Sequence, residues 1–266
     1  MRAVGALGNA DEAIHQGGRA LELCPDCEMF WSNMGWYHLC KGSLPEARQA
    51  LQRALALDPD LECAGYNLEV HDYLCRHGGS FLDYLLRPTD VDEIHRLEQE
   101  EDFEGLQELR GSYDASRLEA WAQCAVQEDE RQISRIGDRV STLRSFFGFV
   151  DSISQESPLN ADVRYLEDLF KPIMHKFIFK FRDVDRAMIE ELYECLFDYL
   201  GFLSRRRLVD ADGLKSFRKH AVSLKTELID VMIRYDAIRH SDELDDDEKE
   251  TIRDELFEGD HAWPFL

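Results

Sequence analysis

Helix breakers are scarce in this chain. Seven prolines and 16 glycines spread over 266 residues leave long stretches without punctuation, which disfavours a fold of many short strands and tight turns. Long apolar runs are missing as well, since none approaches the roughly 18 consecutive apolar residues of a membrane span. The opening MRAVGALGNADEA reaches Gly8 and Asn9 before an apolar core of signal-peptide length builds up. Positive charge is in deficit: 31 Lys and Arg stand against 54 Asp and Glu, a formal net charge of −23. Such a surface repels phosphate backbones and anionic lipid, so neither nucleic acid nor a membrane is expected as a partner. The 7 cysteines are odd in number and have no framework spacing, which fits free thiols in a reducing compartment and predicts a cytoplasmic protein. The phosphate loop, GxGxxG, HExxH and GxSxG patterns are all absent. With no catalytic constellation in view, a non-enzymatic protein without a cofactor is expected.

What is present is enough apolar and aromatic material for a real core, at 44% and 11%, and a repeat. Residues 8–26, GNADEAIHQGGRALELCPD, overlay residues 42–60, GSLPEARQALQRALALDPD, at an offset of 34. Gly8, Glu12, Ala13, Arg19, Ala20, Leu21, Leu23, Pro25 and Asp26 meet identical residues at Gly42, Glu46, Ala47, Arg53, Ala54, Leu55, Leu57, Pro59 and Asp60. A period of this length marks a repeat of helix pairs.

Trp31, Met34, Gly35 and His38 fit the pattern W-x2-L-G-x2-Y, with Met for Leu and His for Tyr, and Ala47, Leu51, Ala54 and Pro59 follow it. In these residues the chain resembles the tetratricopeptide repeat family. One full repeat spans 28–61. The unit before it keeps Ala13, Ala20 and Pro25 but has Gly17 where a Leu or aromatic is usual, and the unit from 62 keeps Leu68 but has Gly65 and Glu69. The resemblance covers about the first 80 residues, roughly two and a half repeats, whereas such arrays usually need three. Either the natural chain starts upstream, or the remainder packs against the array.

The resemblance implies an interaction scaffold whose first helices line a groove. Carried over position by position, the groove residues are Met29, Ser32, Trp36, Leu39 and Cys40, then Cys63, Tyr66, Val70, Tyr73 and Leu74. This set is apolar and aromatic. It lacks the Lys, Arg and Asn with which carboxylate-clamping members hold a peptide terminus. The partner implied is a protein or peptide, an apolar or amphipathic helix anchored by Trp36 and the tyrosines. The competing expectation is that the chain's own segment after Gly79 fills the groove.

Beyond the repeats the chain reads as helical, so the fold class predicted is all-α: repeats over 1–79, a connecting helix hairpin over 80–112, a helical bundle over 113–240 and an acidic tail over 241–266. Thr89 or Asp90 can cap the first helix of the hairpin, which turns near EEDFEG. One long helical stretch is expected from 114 to about 155, with Ile133, Ile136, Val140, Leu143, Phe147 and Val150 at heptad spacing. Ser157, Pro158 and Asn160 mark a turn, and the helix over 161–182 is bent by Pro172 unless the alternation in KFIFKF (176–181) forms a strand. Ile189, Leu192, Leu196, Leu200 and Leu203 line a helix over 184–205, and Leu214, Phe217, Leu224, Leu228, Val231 and Tyr235 line another over 211–237. The segment 241–260 has eleven acids against two bases and reads as solvated, with a short surface helix.

The remaining candidates for chemistry are few. Cys24 and Cys27 have the spacing of zinc and dithiol sites, but no second paired motif accompanies them. In the repeat register they fall in the interrepeat turn, opposite Asp58 and Leu61. A metal- or redox-linked regulator using Cys24 and Cys27 is therefore the alternative function, and an enzyme with an unrecognised site in the bundle is the other. VDADG (209–213) lacks the acid at 208 and the Glu at 219 that a calcium loop needs, so a helix cap or turn is the better reading. His71 and Asp72 have no companion metal ligands at a recognised spacing.

Overall fold

A computed structural model describes residues 10–128, 133–153, 163–177 and 185–257. Among these residues there are twelve helices and no strand. The fold is all-α. The turn expected at Ser157, Pro158 and Asn160, the end of KFIFKF and residues 258–266 of the acidic tail lie outside the described residues. The chain divides into two compact units, Met1–Thr89 with Ala115–Gly137, and Asp90–Asp114 with Asp138–Leu266. These units cut across the segment boundaries read from the sequence.

The first unit begins with α1 (Ala10–Leu23), α2 (Glu28–Lys41), α3 (Leu44–Leu57), α4 (Glu62–His77) and the short α5 (Phe81–Leu85). α3 shows how the sequence dictates its element. LPEARQALQRALAL is almost wholly made of strong helix formers, Pro45 stands in the first turn, and Ala47, Ala50, Leu51 and Ala54 fall on one face and are buried. α2 ends where Gly42 takes a left-handed conformation, φ 79°, which only glycine adopts without strain. Its N–H donates to Leu39 O and the next N–H to His38 O, the double bond of a helix-terminating motif. Leu51 packs where Gly35 has no side chain, so the two helices of the hairpin approach closely. At the other end, Trp31 donates its indole N–H to Pro25 O at 2.8 Å, and Arg53 pairs with Asp26 at 2.9 Å. The indole at the head of the repeat thus ties down the turn before it.

α6 (Val91–Gln99) starts at Asp90, whose carboxylate accepts the Glu93 N–H. Glu101, at φ 55°, makes the turn into α7 (Phe103–Glu128). α7 runs unbroken through Gly111 and Ser112, where the sequence suggested a new start. Ser112 returns its hydroxyl to Leu109 O at 2.8 Å, so a residue that often leaves a helix here stays within it. Its last part belongs to the first unit, where Leu118, Ala120, Trp121, Ala122 and Val126 are buried. Arg87 donates to Ser116 Oγ at 3.3 Å, and Arg117 to Thr89 Oγ1 at 2.6 Å.

α8 (Ile133–Ile153) follows; Ile136, Leu143, Phe147 and Val150 of its seam are buried. The second unit adds α9 (Val163–Phe177), which contains Pro172, α10 (Arg186–Arg205), α11 (Ala211–Arg239) and α12 (Asp246–Leu256). Its centre is a chain of rings. Phe170 meets Phe217 at 5.2 Å and Tyr193 at 5.6 Å, and Phe147 meets Tyr199 at 5.5 Å. Such offset and edge contacts add to the burial of the rings themselves. The Tyr193 hydroxyl donates to Ala221 O at 3.3 Å, joining α10 to α11. Arg139 reaches Glu191 at 2.7 Å and Asp198 at 2.9 Å, joining α8 to α10. Asp210 caps α11 by accepting the Gly213 N–H at 2.7 Å, the role foreseen for VDADG.

The acidic tail is more than a solvated appendage. Asp245 and Glu248 close a capping box at the head of α12, and most of the helix is exposed. Phe257, directly after it, is 2% exposed and packs against His175 at 5.0 Å and Tyr235 at 5.2 Å. One aromatic side chain anchors the acidic segment.

Candidate functional site

The groove expected from the sequence is laid out by α2 and α4, neighbours in the first unit. Ser32 Oγ on α2 and Cys63 Sγ on α4 lie 3.3 Å apart, which holds the first turns of the two helices together. The groove residues do not share one environment. Met29 and Tyr66 are exposed, at 37% and 42%. Trp36, Cys40 and Tyr73 are half-buried, while Ser32, Leu39 and Val70 are buried. Periodicity alone could not make this division, because it depends on what packs over each position.

α5 supplies much of that packing. Gly78 and Gly79, at φ 70° and 89°, let the chain turn back after α4, and the Ser80–Asp83 capping box starts the new helix at once. Phe81 then stands edge-on to Trp36 at 4.7 Å, and Tyr84 meets Tyr73 at 5.1 Å. The Tyr66 and Tyr84 hydroxyls are 3.3 Å apart, and Arg87 lies 4.3 Å over the Tyr84 ring. Burial and the Tyr66 contact together push the Tyr84 phenol well above its usual range. Cys40, at the end of α2, has a thiol pushed up to about 12 by burial, with the nearby Glu119 carboxylate acting the same way. The second halves of α2 and α4 are thus covered by the chain's own aromatic residues, and the first halves carry Met29 and Tyr66 outward.

Residues 29–61 match the tetratricopeptide repeat. That segment is a tetratricopeptide repeat. Such repeats generally mediate protein–protein interactions. The chain matches no curated protein and no solved structure.

The repeat explains two substitutions that the sequence made conspicuous. Gly17 stands where the repeat has Leu51, and the space of the missing side chain is taken by Met34, whose sulfur lies 2.4 Å from where a Cβ would be. Beside it a cleft of about 460 Å³ opens between α1 and α2, lined by Glu12, Gln16, Ala20, Phe30, Asn33 and Tyr37 among others. The sequence reading missed this cleft, although Gly17 was the signal for it. His38 replaces the usual Tyr. Its Nδ1 is buried without a partner, and burial holds its pKa below the ordinary 6.5, with Lys41 adding to the effect and Glu46 opposing it.

A pH dependence follows with a definite sign. The folded chain holds His38 neutral, so as pH falls through 6.5 the unfolded chain takes up the proton first. Stability present above that pH is lost below it. His38→Leu should therefore lose less thermal stability than the parent on going from neutral pH to about pH 5.5, and equal losses in both would show that His38 does not carry the effect.

Cys24 is exposed and Cys27 half-buried, and both sit in the interrepeat turn. The Cys27 N–H donates to Cys24 O at 3.3 Å, and Cys27 O accepts the Trp31 N–H, so their backbones build the entry to α2. Among the described residues, no group of three or more His, Cys, Asp or Glu converges as metal ligands would. No helix among them is long and apolar enough to cross a membrane.

Proposed function

We propose that this protein is a non-enzymatic scaffold whose α2 and α4 face receives a helix from a protein partner. The observation that carries the proposal is the exposure of Met29 on α2 and of Tyr66 on α4. Both are large, both are exposed, and each lies on the open half of a neighbouring first helix of the array. Two such side chains on one rigid platform suit the apolar face of an amphipathic helix. Tyr and Met both favour interfaces, Tyr because its ring is large and its hydroxyl tolerates water. Glu62 and Glu69 are exposed on α4 around Tyr66, so basic residues at the edge of the partner's apolar face would complement this surface. Further along the same two helices, Trp36 and Tyr73 are covered by Phe81 and Tyr84.

The test places a photo-cross-linking amino acid at Tyr66, with the same residue at exposed Val222 on α11 as control. A partner captured from Tyr66 and not from Val222 is expected. In the purified pair, Met29→Glu should weaken binding by about tenfold or more, as expected for a buried anchor made charged. The same proteins captured from both positions, or unchanged affinity in the variant, would remove the groove from consideration.

A further inference from the structure

The strongest chemistry outside that face lies in the joint between α1 and α2, where Cys24 and Cys27 open and close one turn. The Cys24 N–H donates to Ala20 O at 2.9 Å and ends α1. The Cys27 N–H donates to Cys24 O at 3.3 Å, and the Trp31 N–H to Cys27 O at 3.3 Å, which begins α2. The chain makes the same turn again between α3 and α4. There Asp58, Leu61 and Gly65 repeat the three bonds, to Ala54 O at 2.9 Å, Asp58 O at 3.3 Å and Leu61 O at 3.2 Å. Pro25 and Pro59 hold the same place in the two turns, each presetting the backbone with its fixed φ. The fold therefore builds this turn from Asp and Leu as well as from two cysteines. The thiols are not needed for it.

A bond from the first carbonyl to the fourth N–H makes Cys24–Cys27 a β-turn, whose end Cα atoms lie within about 7 Å of each other. A disulfide spans roughly 4.4–6.8 Å between Cα atoms, so the backbone already holds the two residues at a separation the bond allows. Both thiols are free, Cys24 exposed and Cys27 half-buried. We propose that Cys24 and Cys27 are a redox-active pair, which low-molecular-weight disulfides such as oxidised glutathione convert to an internal disulfide that clasps the joint between α1 and α2. Exposed Cys24 loses its proton and attacks one sulfur of the small disulfide. That S–S bond breaks as the Cys24–sulfur bond forms, and the departing thiolate takes up a proton. Cys27 then attacks the Cys24 sulfur in the same way, and the second small thiol leaves. Two protein thiols are oxidised and one small disulfide is reduced to two thiols. In a reducing compartment the pair rests as thiols and closes when oxidised glutathione rises.

The test treats the full chain with oxidised glutathione at neutral pH, quenches with acid and maps the cysteines by mass spectrometry. Exposed Cys75, whose nearest cysteine in sequence is Cys63, is the internal reference and should retain glutathione. Cys24 should retain about tenfold less, because a thiol three residues away acts at high effective concentration. The peptide holding Cys24 and Cys27 should instead be lighter by two hydrogens. Cys27→Ser removes the second thiol and should raise the glutathione on Cys24 by about tenfold. A transplant tests the geometry: Asp58→Cys with Leu61→Cys, shown to be folded by circular dichroism, should form a second internal disulfide in the matching turn. Glutathione retained on Cys24 of the parent as on Cys75, disulfide-linked dimers in place of the internal bond, or a folded transplant that forms none would overturn the proposal.

Discussion

Gly35→Ala is expected to destabilise the α2–α3 hairpin by roughly 2 kcal/mol, a loss at the scale of core overpacking. An added Cβ would lie 2.4 Å from Leu51 Cγ, 2.5 Å from its Cδ2 and 3.3 Å from the Ala47 carbonyl oxygen. Leu51 is completely buried, with Ala47 and Ala54 beside it, so its branched carbon has nowhere to move. Alanine restores about 1 kcal/mol of helix propensity, but a clash of this kind falls at the upper end of the roughly 1–3 kcal/mol range for overpacked cores. The clash wins. Urea denaturation followed by circular dichroism gives the measurement. A second variant sharpens it: Gly35→Ala with Leu51→Ala should be more stable than the sum of the two single losses, because removing Leu51 makes room for the new methyl. Strict additivity, or a Gly35→Ala protein as stable as the parent, would mean that the hairpin is not packed as closely as the geometry states.

Phe217→Ala should have the largest effect, a loss of about 3–5 kcal/mol. The ring is fully buried and sits between Phe170 at 5.2 Å and Phe197 at 6.0 Å, so it joins α9, α10 and α11 at one point. Truncation removes the transfer energy of the ring and leaves a cavity that three helices cannot collapse together. Phe217→Leu retains most of the volume and should cost much less. The ordering parent, leucine, alanine in denaturation midpoint is the expected result. An alanine variant equal to the leucine variant would show that the ring contacts add little beyond bulk.

Both predictions rest on positions that the sequence had already marked, Gly35 and Leu51 through the repeat pattern and Phe217 through helical periodicity. The sequence was equally informative about Asp90 and Asp210, because a capping carboxylate acts on N–H groups three residues away and needs nothing distant. It was less informative where a local rule could be satisfied in two ways. Gly111 and Ser112 looked like a boundary, yet α7 passes through them. The acidic tail looked solvated because nine of the eleven α12 residues are polar or charged, and the decisive residue, Phe257, is a single ring whose burial depends on His175 and Tyr235.

The groove shows the same limit. The family register put Met29, Ser32, Trp36, Leu39, Cys40, Tyr66, Val70 and Tyr73 on the expected helices, but register assigns a helical position and not an environment. Whether Trp36 faces solvent depends on Phe81, which is 45 positions further along the chain and reaches it only because Gly78 and Gly79 turn the backbone through positive φ.

By itself, then, the sequence determined the helices, the hairpin of the repeat and the joint at Cys24 and Cys27, since those follow from 3.6-residue periodicity, caps and a 34-residue offset. The tertiary structure decided which half of the α2 and α4 face α5 covers, what anchors the acidic tail, and that the His71 ring is buried. The physical reason is common to all three. Burial is a property of what packs from elsewhere in the chain, and it alone turns a residue at a given helical position into an exposed anchor or a sealed core residue.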